Sequence, residues 1–413
     1  MIRTAHLRLR SQRLAVDLRL LLLPLVLGVF ALTLIRAYGE AVHGNGRDLV
    51  GVWVATHAFV HHQPAYPGDP AHPFAYPPSA LLLLAPIGTV GLDDVKLPYL
   101  ALLTALFVLS VWLCLRLFQV SLWSLAGLTL LAAFAASIAV RQTLYLLNVD
   151  VLILAGEAAF LVAVARGRWA LGGILLGLAV SIKPAVLPLV LVPLLYRQWL
   201  AAGLILGVPV VLSAVALSLG VNGGEYVTWT VPYLLHGDTQ TSDVQIYNIS
   251  LPGAVANLGL PHVFATIAQF ATVVVVGVLI WMRRRIDGAG DLTLTELSGL
   301  LVLATLLAFS FSFDRYALWL LPLFVSITHP SSSARAWVTL VAAYCIGAPD
   351  GLLWSRFTPL GDRWQVRLTF GLLFLLGVLA WSISRRFMAH RPTPNLGLAA
   401  KPATPVDRAP RVV

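Results

Sequence analysis

The sequence predicts an all-α protein that crosses a membrane many times. Of its 413 residues, 59% are hydrophobic and only 11% are charged, whereas a soluble domain carries roughly 25% charged residues. Apolar runs recur from Leu18 to Ile383, and many approach the roughly 17 to 25 residues that a helix needs to cross a bilayer. These runs are continuously apolar rather than alternating, which indicates membrane helices and excludes a membrane barrel of strands.

The distribution of charge orients the first elements. Residues 1–16 are rich in arginine, and positive charge beside an apolar run marks the cytoplasmic side of a membrane. We therefore expect a basic cytoplasmic tail of residues 1–16 and a transmembrane domain of residues 17–386. The run Leu18–Ile35 is longer than a signal-peptide core, so it predicts a retained anchor. The polar loop that follows, residues 36–79, then lies outside.

The rest of the chain alternates apolar runs with short connectors. The run Ala80–Val90, at about eleven residues, is short for a span and predicts a re-entrant or interfacial helix; the sequence leaves open whether it crosses. Placing the arginine clusters inside gives about twelve crossings, with eleven to thirteen as the range. A second outer loop covers residues 220–262, and residues 387–413, rich in Pro, Ala and Arg, predict a disordered cytoplasmic tail. The other expected spans are Leu97–Leu117, Leu122–Val140, Val149–Ala165, Ala170–Ile182, Ala185–Tyr196, Leu200–Leu219, Phe264–Met282, Leu297–Phe311, Ala317–Ile327, Ala336–Ile346 and Leu368–Ile383.

The net charge of +10 does not indicate nucleic-acid binding. The arginines lie in clusters beside apolar runs, such as Arg283–Arg285, where they report topology and contact anionic headgroups. Membrane lipids are therefore expected partners, and nucleic acid is not. Both cysteines, Cys114 and Cys345, lie in apolar runs, so no disulfide framework is visible.

The loop of residues 36–79 brings a carboxylate, a cation and many aromatic residues together beside the membrane. Within it, Asp48 follows the turn signal Asn45-Gly46-Arg47 and precedes a half-apolar run, Leu49–Val60, that suits an interfacial helix. This position favours Asp48 as a catalytic general base. The alternative is a helix cap, in which its carboxylate accepts backbone N–H bonds in the first helical turn.

Lys183 is the strongest candidate for binding a phosphate, because it lies in a Lys-Pro turn between two apolar runs. A charge at this depth is costly and is usually functional, unless it reaches the lipid headgroups. An ammonium beside a helix start suits a phosphate group. Arg315 offers a planar fork of donors for the same purpose, or forms a structural ion pair with the preceding aspartate. Further candidates on the same side are Arg141 and Arg47.

Polar and aromatic residues of the outer loops are candidates for binding a sugar or an acceptor. They are Tyr76, Gln142, Asn148, Asn248 and Tyr316. The amides of Gln142 and Asn148 could instead join helices by hydrogen bonds.

Other polar residues favour structural roles. Glu157 lies within an apolar run and would mark a proton path in a transporter, but we favour a glutamate that is protonated or hydrogen-bonded inside the bundle. His57 and His61 are spaced to share a helix face without a third ligand nearby, so no metal or other cofactor is indicated.

Several stretches together resemble the polyprenyl-phosphate-sugar-dependent glycosyltransferases of family 87, in the GT-C class. They are GRDLVGVW, PFAYPPSALLLLAPIG, GILLGLAVSIKPAVLPLVLVPLLYRQW, TVPYLLHG and YNISLPGA. The Tyr-Pro-Pro run and the Lys-Pro turn are fairly specific in combination and weak alone. The resemblance implies a GT-C-type helix bundle and maps the loop aspartate of the family onto Asp48. The chain departs from the family at Arg47, where a second acid is frequent, and at Arg315, where some relatives carry histidine.

The resemblance implies an inverting, membrane-embedded glycosyltransferase with its active site outside the plasma membrane. The favoured reaction moves arabinofuranose from a decaprenyl-phosphate donor to a polysaccharide or glycolipid acceptor of the cell wall. A polyprenyl phosphate is already a good leaving group, so the reaction needs chiefly a base for the acceptor hydroxyl and cations for the developing phosphate charge.

Three alternatives remain open from the sequence, of which the last is a structural protein without activity. The first is mannosyl transfer from a polyprenyl-phosphate mannose to a lipid or lipoglycan. The second, from a different class, is a transporter or lipid flippase, which would place paired ionisable groups at the centre of the membrane and often shows repeats. Here the ionisable residues concentrate at the expected outer face, with Glu157 as the main exception.

Overall fold

The described part of the chain is almost entirely helical. The computed structural model describes residues 2–43, 46–66, 74–232, 248–286, 290–310, 312–347 and 364–390. Among these residues, extended backbone pairs only at an isolated antiparallel bridge between Asn248 and Phe313. The α-helices are α1 (Ile2–His43), α2 (Arg47–Val60), α3 (Pro78–Gly88), α4 (Leu92–Leu117), α5 (Leu125–Ala136), α6 (Ile138–Tyr145), α7 (Asp150–Ala165), α8 (Trp169–Ile182), α9 (Leu191–Leu195), α10 (Trp199–Ser218), α11 (Gly223–Glu225), α12 (Leu251–Asn257), α13 (His262–Ile286), α14 (Asp291–Ala308), α15 (Leu321–Val325), α16 (Trp337–Gly347) and α17 (Trp364–Ala389). Shorter turns of 3₁₀-helix lie at Pro184–Val190, Asp314–Leu320 and Ser326–Thr328, and a π-helical turn lies at Tyr226–Thr230.

Six helices among the described residues are long and apolar enough to cross a membrane: α1 from Leu22 onward, α4, α10, α13, α14 and α17 from Gln365 onward. A seventh span results if the bent pair of α5 and α6 counts as one. This agrees with the expected polytopic helical membrane protein. The expected count of about twelve spans stays a prediction, because the apolar stretches α3, α8, Pro184–Leu195 and α16 are shorter than a full span.

The first helix is longer than the sequence indicated. Helix α1 begins at Ile2 and continues to His43, so the described part of the expected tail of residues 1–16 and the beginning of the expected loop of residues 36–79 are helical. Gly46, the glycine of the Asn-Gly turn signal, has a φ of +50°. Glycine adopts this left-handed conformation without the steric cost that a Cβ brings.

Two further boundaries differ from the prediction. The expected span Leu122–Val140 is broken into α5 and α6, which bend by 57° at Ser137. The Ser137 hydroxyl accepts a hydrogen bond from the N–H of Val140 and so starts the second helix. Helix α17 reaches Ala389, so the expected tail of residues 387–413 begins inside a helix; most of that tail lies outside the described residues.

The expected second loop, residues 220–262, contains local helical structure. It holds the short helix α11, the π-helical turn and helix α12, and α13 begins at His262. Residues 233–247 lie outside the described part of the chain.

Helix α2 packs closely against α3 and is hydrogen-bonded to its C-terminal end. The ring N–H of Trp53 donates to the carbonyl of Val90 over 2.9 Å, and the ring Nδ1 of His57 bonds the carbonyl of Gly88, also over 2.9 Å. The backbones approach so closely that a Cβ on Gly88 would lie 2.4 Å from the carbonyl carbon of Thr56. The short apolar helix thus fixes the position of α2, whose first turn carries Asp48.

A buried ionic group, named here the Glu296 cluster, joins α13 and α14 to the turn before α16. It consists of Arg283, Glu296 and Ser333. One carboxylate oxygen of Glu296 pairs with the guanidinium of Arg283, and the other accepts from the backbone N–H of Ser333 at 2.5 Å. All three residues are at most 1% exposed, so this cluster is sealed inside the protein.

Candidate active site

Asp48 lies in the first turn of α2, and a backbone carbonyl rather than its own side chain caps that turn. The N–H groups of Asp48 and Leu49 bond the carbonyl of Leu146 over 3.2 and 3.4 Å. The Asp48 carboxylate instead accepts a hydrogen bond of 2.5 Å from Asn148 Nδ2 and lies 3.3 Å from an Arg315 guanidinium nitrogen. The side chain remains 19% exposed. The capping alternative is therefore wrong for the Asp48 carboxylate, which faces other polar side chains.

Asn148 connects Asp48 to the start of α7. Its amide nitrogen donates to Asp48, and its amide oxygen accepts the backbone N–H of Asp150 over 2.9 Å. The residue before it, Leu147, has a φ of +54°, a conformation that costs about 1–2 kcal/mol for a residue with a Cβ. Such strain is often found at functional sites. The turn is thus held in an unfavourable conformation that presents Asn148 to the carboxylate of Asp48 and to the backbone N–H of Asp150.

Asp150 is the centre of the ionic contacts. Its carboxylate is fully buried, and its Oδ1 accepts from Lys183 Nζ over 2.6 Å. Its Oδ2 lies 3.5 Å from Arg315 Nε, a distance beyond an ordinary N–H···O hydrogen bond. We call Asp48, Asn148, Asp150, Lys183 and Arg315 the Asp150 cluster. It joins α2, α7, the break after α8 and the 3₁₀-helical segment Asp314–Leu320.

Aromatic rings enclose the two cations of the Asp150 cluster. Lys183 Nζ lies 3.8 Å from the centre of the Tyr316 ring and 5.5 Å from that of Trp319, and these two rings stack with centroids 4.7 Å apart. The guanidinium carbon of Arg315 lies 4.0 Å from the centre of the Phe313 ring. Cations at these distances over aromatic faces are attracted by the ring quadrupole. The rings therefore hold both cations in place without neutralising them.

Burial and charge act together on the titratable groups of this site. Burial lowers the pKa of Lys183 to about 8, although the Asp150 carboxylate acts to raise it. Burial also acts to lower the pKa of Arg315, but the neighbouring Asp48 carboxylate outweighs it and raises the value. The pKa of the Tyr76 hydroxyl is raised well above its ordinary range by burial and then by Asp48 and Asp150. Tyr76 thus stays a neutral hydrogen-bond donor close to both carboxylates.

The structure brings together six of the ten residues singled out from the sequence. Lys183 is not the unpaired cation that the sequence suggested, because Asp150 pairs with it. The six residues are Asp48, Tyr76, Asn148, Lys183, Arg315 and Tyr316.

The remaining four residues lie apart from these contacts. Arg141 donates to the hydroxyl of Tyr145 over 3.3 Å, one turn along α6. Gln142 is half-buried on the same helix, and Arg47 is exposed and forms no ion pair with any described residue. Neither Arg141 nor Arg47 is joined to the Asp150 cluster.

Asn248 has a structural position rather than a free amide. Its amide nitrogen donates to the carbonyl of Ser310 over 3.0 Å, and its oxygen accepts the N–H groups of Ser250 and Ser312 over 3.1 and 2.9 Å. These bonds fasten the segment before α12 to the segment that leads into Arg315. The Asn248 side chain therefore fastens the loop beside the site and uses three of the four hydrogen bonds that its amide can make.

Asp150, noted in the sequence only as part of a polar turn, and Trp319 are functional candidates to which the sequence assigned no role. Asp150 begins an apolar helix two residues after Asn148, and a carboxylate at the edge of an apolar run is a weak signal of function. Its partners are distant in sequence, since Lys183 is separated by 33 positions. Trp319 resembles any aromatic residue of an apolar helix.

Two other groups have structural partners. Glu157 accepts a hydrogen bond of 2.8 Å from the Ser298 hydroxyl and is completely buried, which confirms a glutamate hydrogen-bonded inside the bundle. His57 stacks on Trp53 with ring centroids 4.6 Å apart. Among the described residues, no group of three His, Cys, Asp or Glu side chains is arranged to hold a metal ion.

Comparison with known proteins identifies the family. The sequence signature of glycosyltransferase family 87 matches residues 74–310, more than half of the chain. The chain belongs to glycosyltransferase family 87. It is therefore a glycosyltransferase with transmembrane helices, and this confirms the resemblance noted in the sequence.

Individual relatives cover most of the chain. A protein of Corynebacterium glutamicum is 31% identical over 81% of this chain and 82% of its own length. One from Mycobacterium tuberculosis is 29% identical over 80% and 76%, and one from Mycolicibacterium smegmatis is 27% identical over 76% and 73%. Each relative is named alpha-(1->3)-arabinofuranosyltransferase. No solved structure matches the chain.

Proposed function

We propose that this family 87 enzyme transfers arabinofuranose from a decaprenyl-phosphate donor to a cell-wall polysaccharide, with inversion at the anomeric carbon. The shared name of the relatives supports the sugar. The basic N-terminal segment supports an active site on the outer side of the plasma membrane, because one span then separates it from Asp48. The shorter apolar helices would complete a bundle of about twelve spans.

The observation that carries the proposal is the environment of the Asp48 carboxylate. It is partly exposed, Asn148 orients it, and Arg315 lies 3.3 Å away. A general base must reach a substrate hydroxyl while its position is fixed by neighbours. The other carboxylate of the cluster, Asp150, is sealed from solvent, so Asp48 is the one of the two that an acceptor can approach.

The reaction follows from these positions. The acceptor oxygen attacks the anomeric carbon from the face opposite the phosphate, and the bond from that carbon to the phosphate oxygen breaks. The phosphate leaves with the electron pair, and Asp48 takes the proton of the acceptor hydroxyl. A single direct displacement of this kind inverts the anomeric configuration. The cations Lys183 and Arg315 would stabilise the charge that develops on the leaving phosphate.

In the proposal, binding of the donor phosphate to Arg315 also releases Asp48. While its guanidinium lies 3.3 Å from the Asp48 carboxylate, it occupies an oxygen that would otherwise accept a hydrogen bond from the acceptor hydroxyl. A donor phosphate competes for the same guanidinium, which binds phosphate through parallel N–H···O bonds. We therefore expect the donor to bind first and to free Asp48 for the acceptor.

The test is a transfer assay with purified enzyme in nanodiscs. Radiolabelled decaprenyl-phosphoryl-arabinose and its mannosyl analogue are incubated in parallel with an arabinan oligosaccharide, and the product linkage is read by NMR. The proposal requires transfer of arabinose with an inverted anomeric centre. Transfer of mannose alone, or retention of configuration, would overturn it.

A further inference from the structure

Asp150 has no part in the reaction proposed above, although the ionic contacts of the site converge on it. It begins α7, is fully buried, and contacts Lys183 from the break after α8 and Arg315 from the segment Asp314–Leu320. Through Asn148 its backbone N–H is also connected to Asp48. Few carboxylates are buried so completely, because removing an ion from water is costly.

The hydrogen bonds of Asp150 are incomplete. Among the described residues, Asp150 Oδ2 and Arg315 Nε have no hydrogen-bond partner, although they lie 3.5 Å apart. The ring N–H of Trp319, next to Lys183, has none either. An open oxygen alone does not distinguish Asp150, since Glu157 Oε2 also lacks a partner among the described residues. Asp150 differs because its carboxylate faces two cations, Lys183 and Arg315, whereas Glu157 bonds the Ser298 hydroxyl. The loose contact leaves Arg315 able to move while Lys183 stays tightly held.

We infer that Asp150 is a positioning residue for the donor: it holds Lys183 as a charged group and keeps Arg315 at the point where the donor phosphate enters. The inference rests on the proposed function, since it assumes that these two cations meet a polyprenyl phosphate. Asp150 itself need not touch the substrate, and no bond to it forms or breaks.

The pH dependence of donor affinity reports the charge of Lys183. Among the described residues, the charged groups that act on it are Asp150 on α7, Asp48 on α2 and Arg315, and the rings of Tyr316 and Trp319 lie against its ammonium. Lys183 is charged below its pKa of about 8 and neutral above it. Donor affinity should therefore be full at lower pH and decline as the pH rises through that value. Replacing Asp150 by a neutral residue removes the main influence that raises this pKa, so the decline should begin at lower pH.

The experiment compares Asp150→Asn and Asp150→Glu with the wild-type enzyme in nanodiscs. The apparent KM for the decaprenyl-phosphate sugar and the affinity for decaprenyl phosphate alone are measured from about pH 6 to 9. For Asp150→Asn we expect donor affinity to fall about tenfold or more near neutral pH and to recover on acidification, since one pKa unit corresponds to a tenfold change. For Asp150→Glu we expect the wild-type pH dependence, because the charge remains, with a higher KM from the displaced carboxylate.

Glu157→Gln is the matched control. Glu157 is a buried carboxylate on the same helix, and its partner is Ser298 rather than a cation. This variant should keep the wild-type pH dependence. If Asp150→Asn does not fold, the higher donor KM expected for Asp150→Glu remains as the test.

Two results would overturn the inference: an Asp150→Asn enzyme with the wild-type KM and pH dependence, or an Asp150→Glu enzyme with the wild-type KM. The binding measurement separates this failure from failure of the proposed function. If the wild-type enzyme binds decaprenyl phosphate with the expected pH dependence but transfers no arabinose, the function is wrong and the role of Asp150 stands.

Discussion

The Asp150 cluster and the Glu296 cluster both contain a buried carboxylate paired with a cation, but they differ in how completely the carboxylate oxygens are hydrogen-bonded. In the Glu296 cluster both carboxylate oxygens have partners, and Arg283 and Ser333 are as buried as the glutamate. In the Asp150 cluster one carboxylate is partly exposed, and Asp150 Oδ2 lacks a hydrogen bond within the described residues. Glu296 lies near the start of α14, whereas the segment that carries Arg315 follows the end of that helix in the chain.

The difference separates structural from functional ion pairs. A sealed and fully bonded pair has no capacity left for a ligand, so its contribution is to hold α13, α14 and the next turn together. A cluster with an accessible carboxylate and unmade hydrogen bonds can exchange partners when a ligand arrives. Substitutions in the Glu296 cluster should therefore change stability, and substitutions in the Asp150 cluster should change turnover or donor affinity.

The largest effect is expected for Glu296→Gln. Removing one partner of a buried pair leaves Arg283 without its carboxylate, and breaking such a pair costs about 3–5 kcal/mol. Chemical unfolding in detergent should show this loss, while turnover per folded molecule stays near that of the wild type. If Glu296→Gln is as stable as the wild type, or if it folds but has no activity, the Glu296 cluster is not the purely structural one of the two.

Several elements around the candidate active site could be predicted from the sequence, because local residues determine them. The helix after Asp48, the break at Lys183 and the short apolar helix after residue 77 follow from turn residues and apolar periodicity. The resemblance to family 87 supplied the role proposed for Asp48.

The sequence does not show which residues pair when they are far apart in the chain. Asp48 meets Asn148 across 100 positions, and Asn248 meets Ser312 across 64. Nothing in the sequence around Asp150 indicates that it, rather than Asp48, pairs with Lys183. The bend at Ser137 was missed because the apolar run continues through it and hides the serine cap.

Of the two cations compared here, Lys183 and Arg141, the larger effect is expected for Lys183→Met. Loss of the ammonium removes a charge that would bind the donor phosphate and stabilise the leaving group, so we expect the apparent KM for the donor to rise about tenfold, or about 1.4 kcal/mol. Lys96→Met is the matched control, since Lys96 also pairs with an aspartate, Asp93, over 2.8 Å but lies outside the cluster. If the KM and kcat of Lys183→Met both match the wild type, the phosphate is held elsewhere, and Arg315 becomes the candidate.

The smallest effect is expected for Arg141→Met. The sequence placed Arg141 among the phosphate-binding cations, but its side chain bonds Tyr145 on its own helix. Substitutions away from buried networks usually change stability by less than about 0.5 kcal/mol, and we expect donor KM to change less than about twofold. A tenfold rise would show that the donor phosphate reaches beyond the Asp150 cluster to α6.

The most direct test of the account is the turnover of Asp48→Asn at saturating donor in nanodiscs. Because the carbonyl of Leu146 caps α2 and the Asp48 carboxylate does not, this variant should fold like the wild type. It should bind the donor at least as tightly, since Arg315 no longer faces a carboxylate at this position. Turnover should fall about 10²-fold or more, the scale of losing a general base. An Asp48→Asn enzyme that retains more than about a tenth of wild-type turnover would contradict the assignment of Asp48 as the base.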